Sequence, residues 1–156
     1  MNEHCDSNRV PVLKDGIFMT LGEAIQKLRE SEHEGDMTNK MSAEITQAFE
    51  LHDAVHVLFN CGTSIEDEIA AHVWMLFATT AKISEMHRVV ANQEHRNVLS
   101  GIGHFKLMVI WFTCFPRIIG IISKSLRMKK RLAVEELSKL KEQFILEIHQ
   151  EHGIIL

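Results

Sequence analysis

Cysteine is scarce in this chain: three residues in 156, at Cys5, Cys61 and Cys114. They are unevenly spaced and form no CxxC pair, which argues against a disulfide framework and points to reduced thiols in a cytosol-like compartment. Positive charge is not in excess either. With 17 Lys and Arg against 21 Asp and Glu, the formal net charge is -4, and no basic face runs through the chain as a nucleic-acid binder requires. The opening residues Met1–Asp6 are polar and acidic, unlike a secretory signal or transit peptide. No Gly-rich phosphate loop appears, no Ser-His-Asp order is suggested, and no stretch alternates convincingly enough for a strand. Long hydrophobic runs are also missing. Residues 101–122 are largely apolar, but Lys106 and Arg117 interrupt them, and the run falls short of the roughly 20 apolar residues that a membrane span needs.

What is present favours helices. At 156 residues, 46% hydrophobic and 24% charged, the chain is long enough for one domain with a sizeable core. Residues 1–19, with Pro11 and Gly16, read as an irregular lead-in, and 20–156 as one all-α domain of five or six helices. Thr20 and Glu23 make a capping box for a short amphipathic helix to about Arg29, with Leu21, Ala24, Ile25 and Leu28 inward. Ser31 to Lys40 is a polar loop, where His33 is a solvated residue. A helix capped by Ser42 places Ile45, Ala48, Phe49, His52, Val55, His56 and Phe59 on one face. A further helix opens at Ser64, because Ser64-Ile65-Glu66-Asp67 is an N-cap followed by an acid at the third helical position. Its stripe is Ile69, Val73, Leu76 and Phe77, with Trp74 nearby, and the pattern runs on to about Asn97. His87 and His95 fall on the polar side of that continuation. Pro116 should kink or end the apolar helix. Residues 133–152 form a last amphipathic helix, stopped by Gly153.

One constellation carries chemistry. His52 and His56 stand four apart, so on a helix both imidazoles project from one face, and Asp53 lies at its edge. Glu68 follows His56 after eleven residues, in the first turns of the next helix. If the two helices pack as a hairpin, two imidazoles and two carboxylates meet between them. Neutral imidazole with carboxylate suits zinc ahead of iron or manganese. His72, four beyond Glu68, shares its face and serves as a hydrogen-bond partner of Glu68 or as a ligand. The plainer reading is a core histidine pair satisfied by a carboxylate, since histidines within a buried stripe need partners. A second feature is the apolar segment just described, followed by Lys124, Arg127, Lys129, Lys130 and Arg131. It reads either as a central core helix with a solvated basic end or as a segment lying on an anionic membrane or a lipid pocket.

The run Phe49-Glu50-Leu51-His52-Asp53-Ala54-Val55-His56, with Glu68-Ile69-Ala70 after the eleven-residue gap, resembles the ubiquinone-biosynthesis family known as coenzyme-Q protein four. Glu147-Ile148-His149-Gln150-Glu151-His152-Gly153-Ile154 looks like that family's closing helix, and Phe115-Pro116-Arg117-Ile118 faintly echoes its apolar segment. Asp67 stands where the family usually has Gly. The resemblance implies that His52, Asp53, His56 and Glu68 bind a divalent metal, with Asp53 also orienting a bound water as a catalytic residue. It implies a helical protein that holds a polyisoprenoid lipid or quinone precursor, peripheral at the inner face of a bacterial cytoplasmic membrane or on the matrix side in mitochondria. Lipid contact would fall on Phe105, Met108, Trp111, Phe112, Arg117, Lys124 and Arg127. The implied chemistry is removal of the C1 carboxyl group, with hydroxylation there, from a polyprenylated benzoate. The implied partners are other quinone-biosynthesis enzymes or a second copy of the chain. Two alternatives stand beside it: a non-catalytic lipid-binding scaffold, and an HD-type phosphohydrolase built on His52-Asp53 with His33 and a late acid as further ligands.

Overall fold

Local capping decides where the first helix begins. Thr20 Oγ1 accepts from the Glu23 N–H at 3.3 Å, while the Glu23 carboxylate accepts from the Thr20 N–H at 2.9 Å. This reciprocal pair satisfies two donors at the start of α1 (Leu21–Ser31). Leu21, Ala24, Ile25 and Leu28 are all buried, as their spacing requires. The computed structural model describes residues 18–31, 43–82 and 104–156, with the side chains of 43–45, 104–107 and 111 excepted. Most of the lead-in, the Ser42 cap, His33, the helical continuation through His87 and His95, and the side chains of Phe105 and Trp111 lie outside the described residues.

Six α-helices occur among the described residues: α1, α2 (Ala43–Leu58), α3 (Ile65–Ala78), α4 (His104–Ser125), α5 (Leu137–Leu140) and α6 (Ile145–His152). No strand appears among them; two isolated bridges, Thr20 with Phe144 and Thr79 with Leu132, are the sole β-type pairings described. The helices pack in sequence, α1 on α2, α2 on α3 and α3 on α4. One core runs through all but α4 nearly continuously, from Leu21 and Leu28 through Leu51, Val55 and Leu58 to Met75, Leu132, Leu140 and Ile148. α4 joins it through Ile121.

Several expectations are corrected. α3 stops at Ala78 because its end is claimed by another part of the chain. Leu132 N–H donates to Ala78 C=O at 2.8 Å and Thr80 N–H to Leu132 C=O at 2.9 Å, which holds Thr79 extended. The buried face of α3 is also rotated from the expected stripe. Ala70, Ala71, Trp74, Met75 and Ala78 are buried, whereas Ile69, Val73, Leu76 and Phe77 are half-buried. Three alanines allow close approach, and the larger side chains fill the flanks. The expected single helix over 133–152 is broken instead. A 3-10 turn (Val134–Glu136) leads into α5, and the chain then opens at 141–144 so that its backbone can pair with the start of α1. Leu21 N–H donates to Gln143 C=O, Gly22 N–H to Lys141 C=O, and Ile145 N–H to Met19 C=O, at 2.9–3.1 Å. Gly22 is needed there: a Cβ would stand 3.0 Å from the Lys141 oxygen. Gly153 ends α6 in the left-handed region at φ 67, as expected.

α4 departs furthest from expectation. Its helix continues through Pro116, although proline leaves the Phe112 carbonyl without its intrahelical donor, at a cost of about 3 kcal/mol in a helix interior. It is not a central core helix either. Ile110, Cys114, Ile121 and Ser125 form a narrow buried stripe, while Met108, Val109, Phe112, Phe115 and Ile119 are exposed. By length and composition Met108–Ser125 is apolar enough to cross a membrane, with mean hydropathy 1.3, despite Arg117 and Lys124. α4 is fastened to α3 by Arg117, whose Nη2 donates to Asp67 Oδ1 at 2.6 Å.

Candidate metal centre

The site is built by two helices and the turn between them. α2 carries His52 and His56 one turn apart, and both are buried. The turn begins with Asn60 in the left-handed region at φ 50, a conformation that asparagine tolerates better than most residues. Cys61 then makes two links to one residue. Its N–H donates to His56 C=O at 2.9 Å, and its own C=O lies 3.2 Å from His56 Nδ1. α3 opens with Ser64 as N-cap, its Oγ accepting from Asp67 N–H at 3.2 Å. This cap sets the helical register that carries Glu68 and His72.

The donor atoms converge. His52 Nε2 and His56 Nε2 are 3.3 Å apart. Each is 3.4 Å from an oxygen of Glu68, His52 from Oε2 and His56 from Oε1. Ligand atoms of His52, Glu68 and His72 all lie within 4.8 Å of one another. Glu68 is 27% exposed while the two imidazoles of α2 are nearly closed off, so the carboxylate forms the open side. A directly paired imidazolium and carboxylate would sit closer, at about 2.7–2.9 Å. Four donors placed tetrahedrally about an ion at about 2.0–2.1 Å stand roughly 3.3–3.4 Å apart. The observed spacing is that of an edge of a metal site, and the donor set fits a divalent ion.

Protonation agrees with this. Burial, reinforced by the neighbouring His52 ring, holds His56 below its ordinary value against the pull of Glu68. The ring is therefore neutral at pH 7. The Cys61 carbonyl draws the proton to Nδ1 and leaves the Nε2 lone pair facing His52 and Glu68. His72 repeats the arrangement, its Nδ1 lying 2.6 Å from the Glu68 carbonyl. Burial pushes the Cys61 thiol up to about 12, so this sulfur is neither a thiolate ligand nor a nucleophile.

Asp53 goes elsewhere. Its Oδ2 accepts from Arg29 Nε at 2.7 Å and from Nη2 at 2.6 Å, tying α2 to α1. Thus the structure brings His52, His56 and Glu68 to 3.3–3.4 Å of one another and groups His72 with His52 and Glu68 within 4.8 Å, while it turns Asp53 toward a partner 24 residues upstream. The sequence carried no signal for Arg29. Of the expected lipid-contact residues, Met108, Phe112, Arg117, Lys124 and Arg127 lie exposed on or just beyond α4.

An all-α protein with a possible His/Glu metal site between adjacent helices is the class that fold and site define. No protein-family model, no curated protein and no solved structure matches the chain.

Proposed function

We propose that the chain is a metal-dependent protein of ubiquinone biosynthesis, acting on a polyprenylated benzoate precursor at a membrane surface. The observation that carries this reading is the meeting of His52, His56 and Glu68 at 3.3–3.4 Å, on the HDxxH and distant Glu pattern whose resemblance suggests it. These three side chains would hold a divalent ion, zinc ahead of iron or manganese. Such an ion supplies Lewis acidity toward the substrate's carboxylate. Burial keeps His56 neutral, and the Cys61 carbonyl fixes its tautomer. Glu68 sits at the open edge, where an incoming head group arrives. Exchange of the ring carboxyl for hydroxyl, with water entering and carbon dioxide leaving, is a net two-electron oxidation, so the assay must supply dioxygen, which takes up the two electrons as hydrogen peroxide.

The exposed apolar side chains of α4 support the lipid part of the proposal. Met108, Phe112, Phe115 and Ile119 recur at helical spacing, with Phe112 75% exposed, and Lys124, Arg127, Lys129, Lys130 and Arg131 follow. Apolar surface bordered by cations suits an anionic bilayer. This observation equally favours a second reading, in which the protein holds the polyprenyl chain without turning it over and presents it to the other enzymes of the route. The HD-phosphohydrolase reading loses support, because the Asp of the HD pair is engaged by Arg29.

The test is incubation of the metal-loaded protein with a polyprenyl 4-hydroxybenzoate in anionic vesicles under air, following carbon dioxide release and the hydroxylated ring by mass spectrometry. Turnover lost in His56→Ala supports the enzyme. Stoichiometric copurified polyprenyl lipid without turnover supports the scaffold. Neither turnover nor lipid, from protein that does bind metal, refutes both.

A further inference from the structure

The motif that suggests a metal would assign Asp53 to it, but the geometry points to another residue. α2 and α3 each present two groups one helical turn apart, His52 with His56 and Glu68 with His72. The His72 Nδ1 proton is committed to the Glu68 carbonyl at 2.6 Å, so its Nε2 carries the lone pair. The His72 ring centroid is 5.1 Å from that of His52, and its ligand atom belongs with those of His52 and Glu68 within 4.8 Å. A backbone carbonyl that fixes the tautomer of a ring is the usual accompaniment of a ligating histidine. His56 has the same device through Cys61.

Asp53 lacks these credentials. It follows His52 directly, which places it about 100° round the helix from that ligand. Its side chain is 15% exposed, and both Nε and Nη2 of Arg29 converge on Oδ2. Ligation through that oxygen would break a largely buried ion pair and strand the guanidinium.

We propose that His72 is a metal donor with His52 and Glu68, the residues it is grouped with, that His56 joins them through its 3.3–3.4 Å contacts to His52 and Glu68, and that Asp53 stays with Arg29 as a brace between α1 and α2. The inference rests on the metal-binding reading above and changes its chemistry. Three neutral imidazoles and one carboxylate leave a divalent ion with a net positive charge. An aspartate in place of His72 would neutralise it. The site as built therefore attracts an anion to the open side beside Glu68, and the ligand class it takes is a carboxylate.

The experiment uses the full chain stripped of metal and titrated with cobalt(II), read by visible absorption and by competition with a chelating dye. His72→Ala should weaken cobalt binding by at least about tenfold and alter the visible bands, whereas Asp53→Asn should change affinity by less than about threefold. His72→Cys gives a positive signature: a thiolate at this position should add an intense near-ultraviolet sulfur-to-cobalt band. Benzoate should perturb the visible bands of the wild type. The proposal is overturned by unchanged bands and affinity in His72→Ala, by the absence of the sulfur band in folded His72→Cys, or by loss of the bands in Asp53→Asn. A wild-type chain that binds no cobalt brings down the metal reading itself, a separate outcome. Melting of each metal-free variant, expected to follow the wild type closely, distinguishes a lost ligand from a lost fold.

Discussion

Replacing Glu68 with Gln keeps the shape of the side chain and removes its charge, at a residue 3.4 Å from two imidazoles. In metal-free protein the effect should be small. Glu68 is 27% exposed, so the amide keeps access to water, and the change should stay within about 1 kcal/mol, or roughly 2–4 °C in melting temperature for a chain of this size. With metal the two proteins should separate. An ion that binds only the folded state, present at about 100 times its dissociation constant, stabilises by about 2.7 kcal/mol. That corresponds to a rise of about 5–11 °C in the wild type. Glu68→Gln, having exchanged an anionic ligand for a weak neutral one, should show little of it. The assay is thermal melting with and without added zinc, joined to metal content by mass spectrometry on protein purified without chelators. A variant that retains about one metal per chain and the whole thermal shift refutes the assignment of Glu68.

Burial holds His149 and His152 below their ordinary 6.5, with the Lys130 charge adding to it at His152. The unfolded chain therefore takes up protons that the native rings refuse, and stability should be complete above about pH 6.5 and fall as pH drops below it, by up to about 1.4 kcal/mol per unit for each ring. Denaturant melts at pH 5.5 and 7.5 check this, and His152→Gln should flatten the dependence. Gly153→Ala should cost about 1–3 kcal/mol, because a side chain at φ 67 is strained and its Cβ would stand 2.9 Å from Lys129 Cγ and 3.1 Å from Lys129 N; urea unfolding measures it. Ser64→Ala removes the N-cap of α3 and should cost about 1 kcal/mol, with Ser64→Thr recovering most of it in the same assay.

The legible parts of this molecule were those written in local chemistry. Thr20 with Glu23, Ser64 with Asp67, and Gly153 all act within one turn of their own position, and the structure places each as its spacing required. The metal candidates were legible for the same reason. His52 and His56 need only one helix, and Glu68 needs only a short capped turn beyond it. His72 was visible through its distance of four from Glu68, although its role was not. What escaped the sequence depends on distant partners. Arg29 reaches Asp53 across 24 residues, and nothing near either residue announces the pair. The end of α3 depends on Leu132, and the break after α5 depends on Thr20 and Gly22, so a helical period that looked continuous was overridden by backbone pairing. The inward face of α3 was misjudged because bulk was weighed above close approach, and three alanines decided it.

The clasp between Met19–Gly22 and Lys141–Ile145 also orders events in time. Its members are separated by some 120 residues of chain, so α1 finds these backbone partners only after residues 141–145 have been synthesised. The α2–α3 hairpin needs no such delay, since its cap, its turn and the His and Glu side chains between its helices emerge within residues 52–72. On a ribosome adding about 5–20 residues per second, the α2–α3 hairpin is available several seconds before the segment that pairs with the start of α1. An ion present during synthesis would meet the hairpin before the rest of the core has assembled.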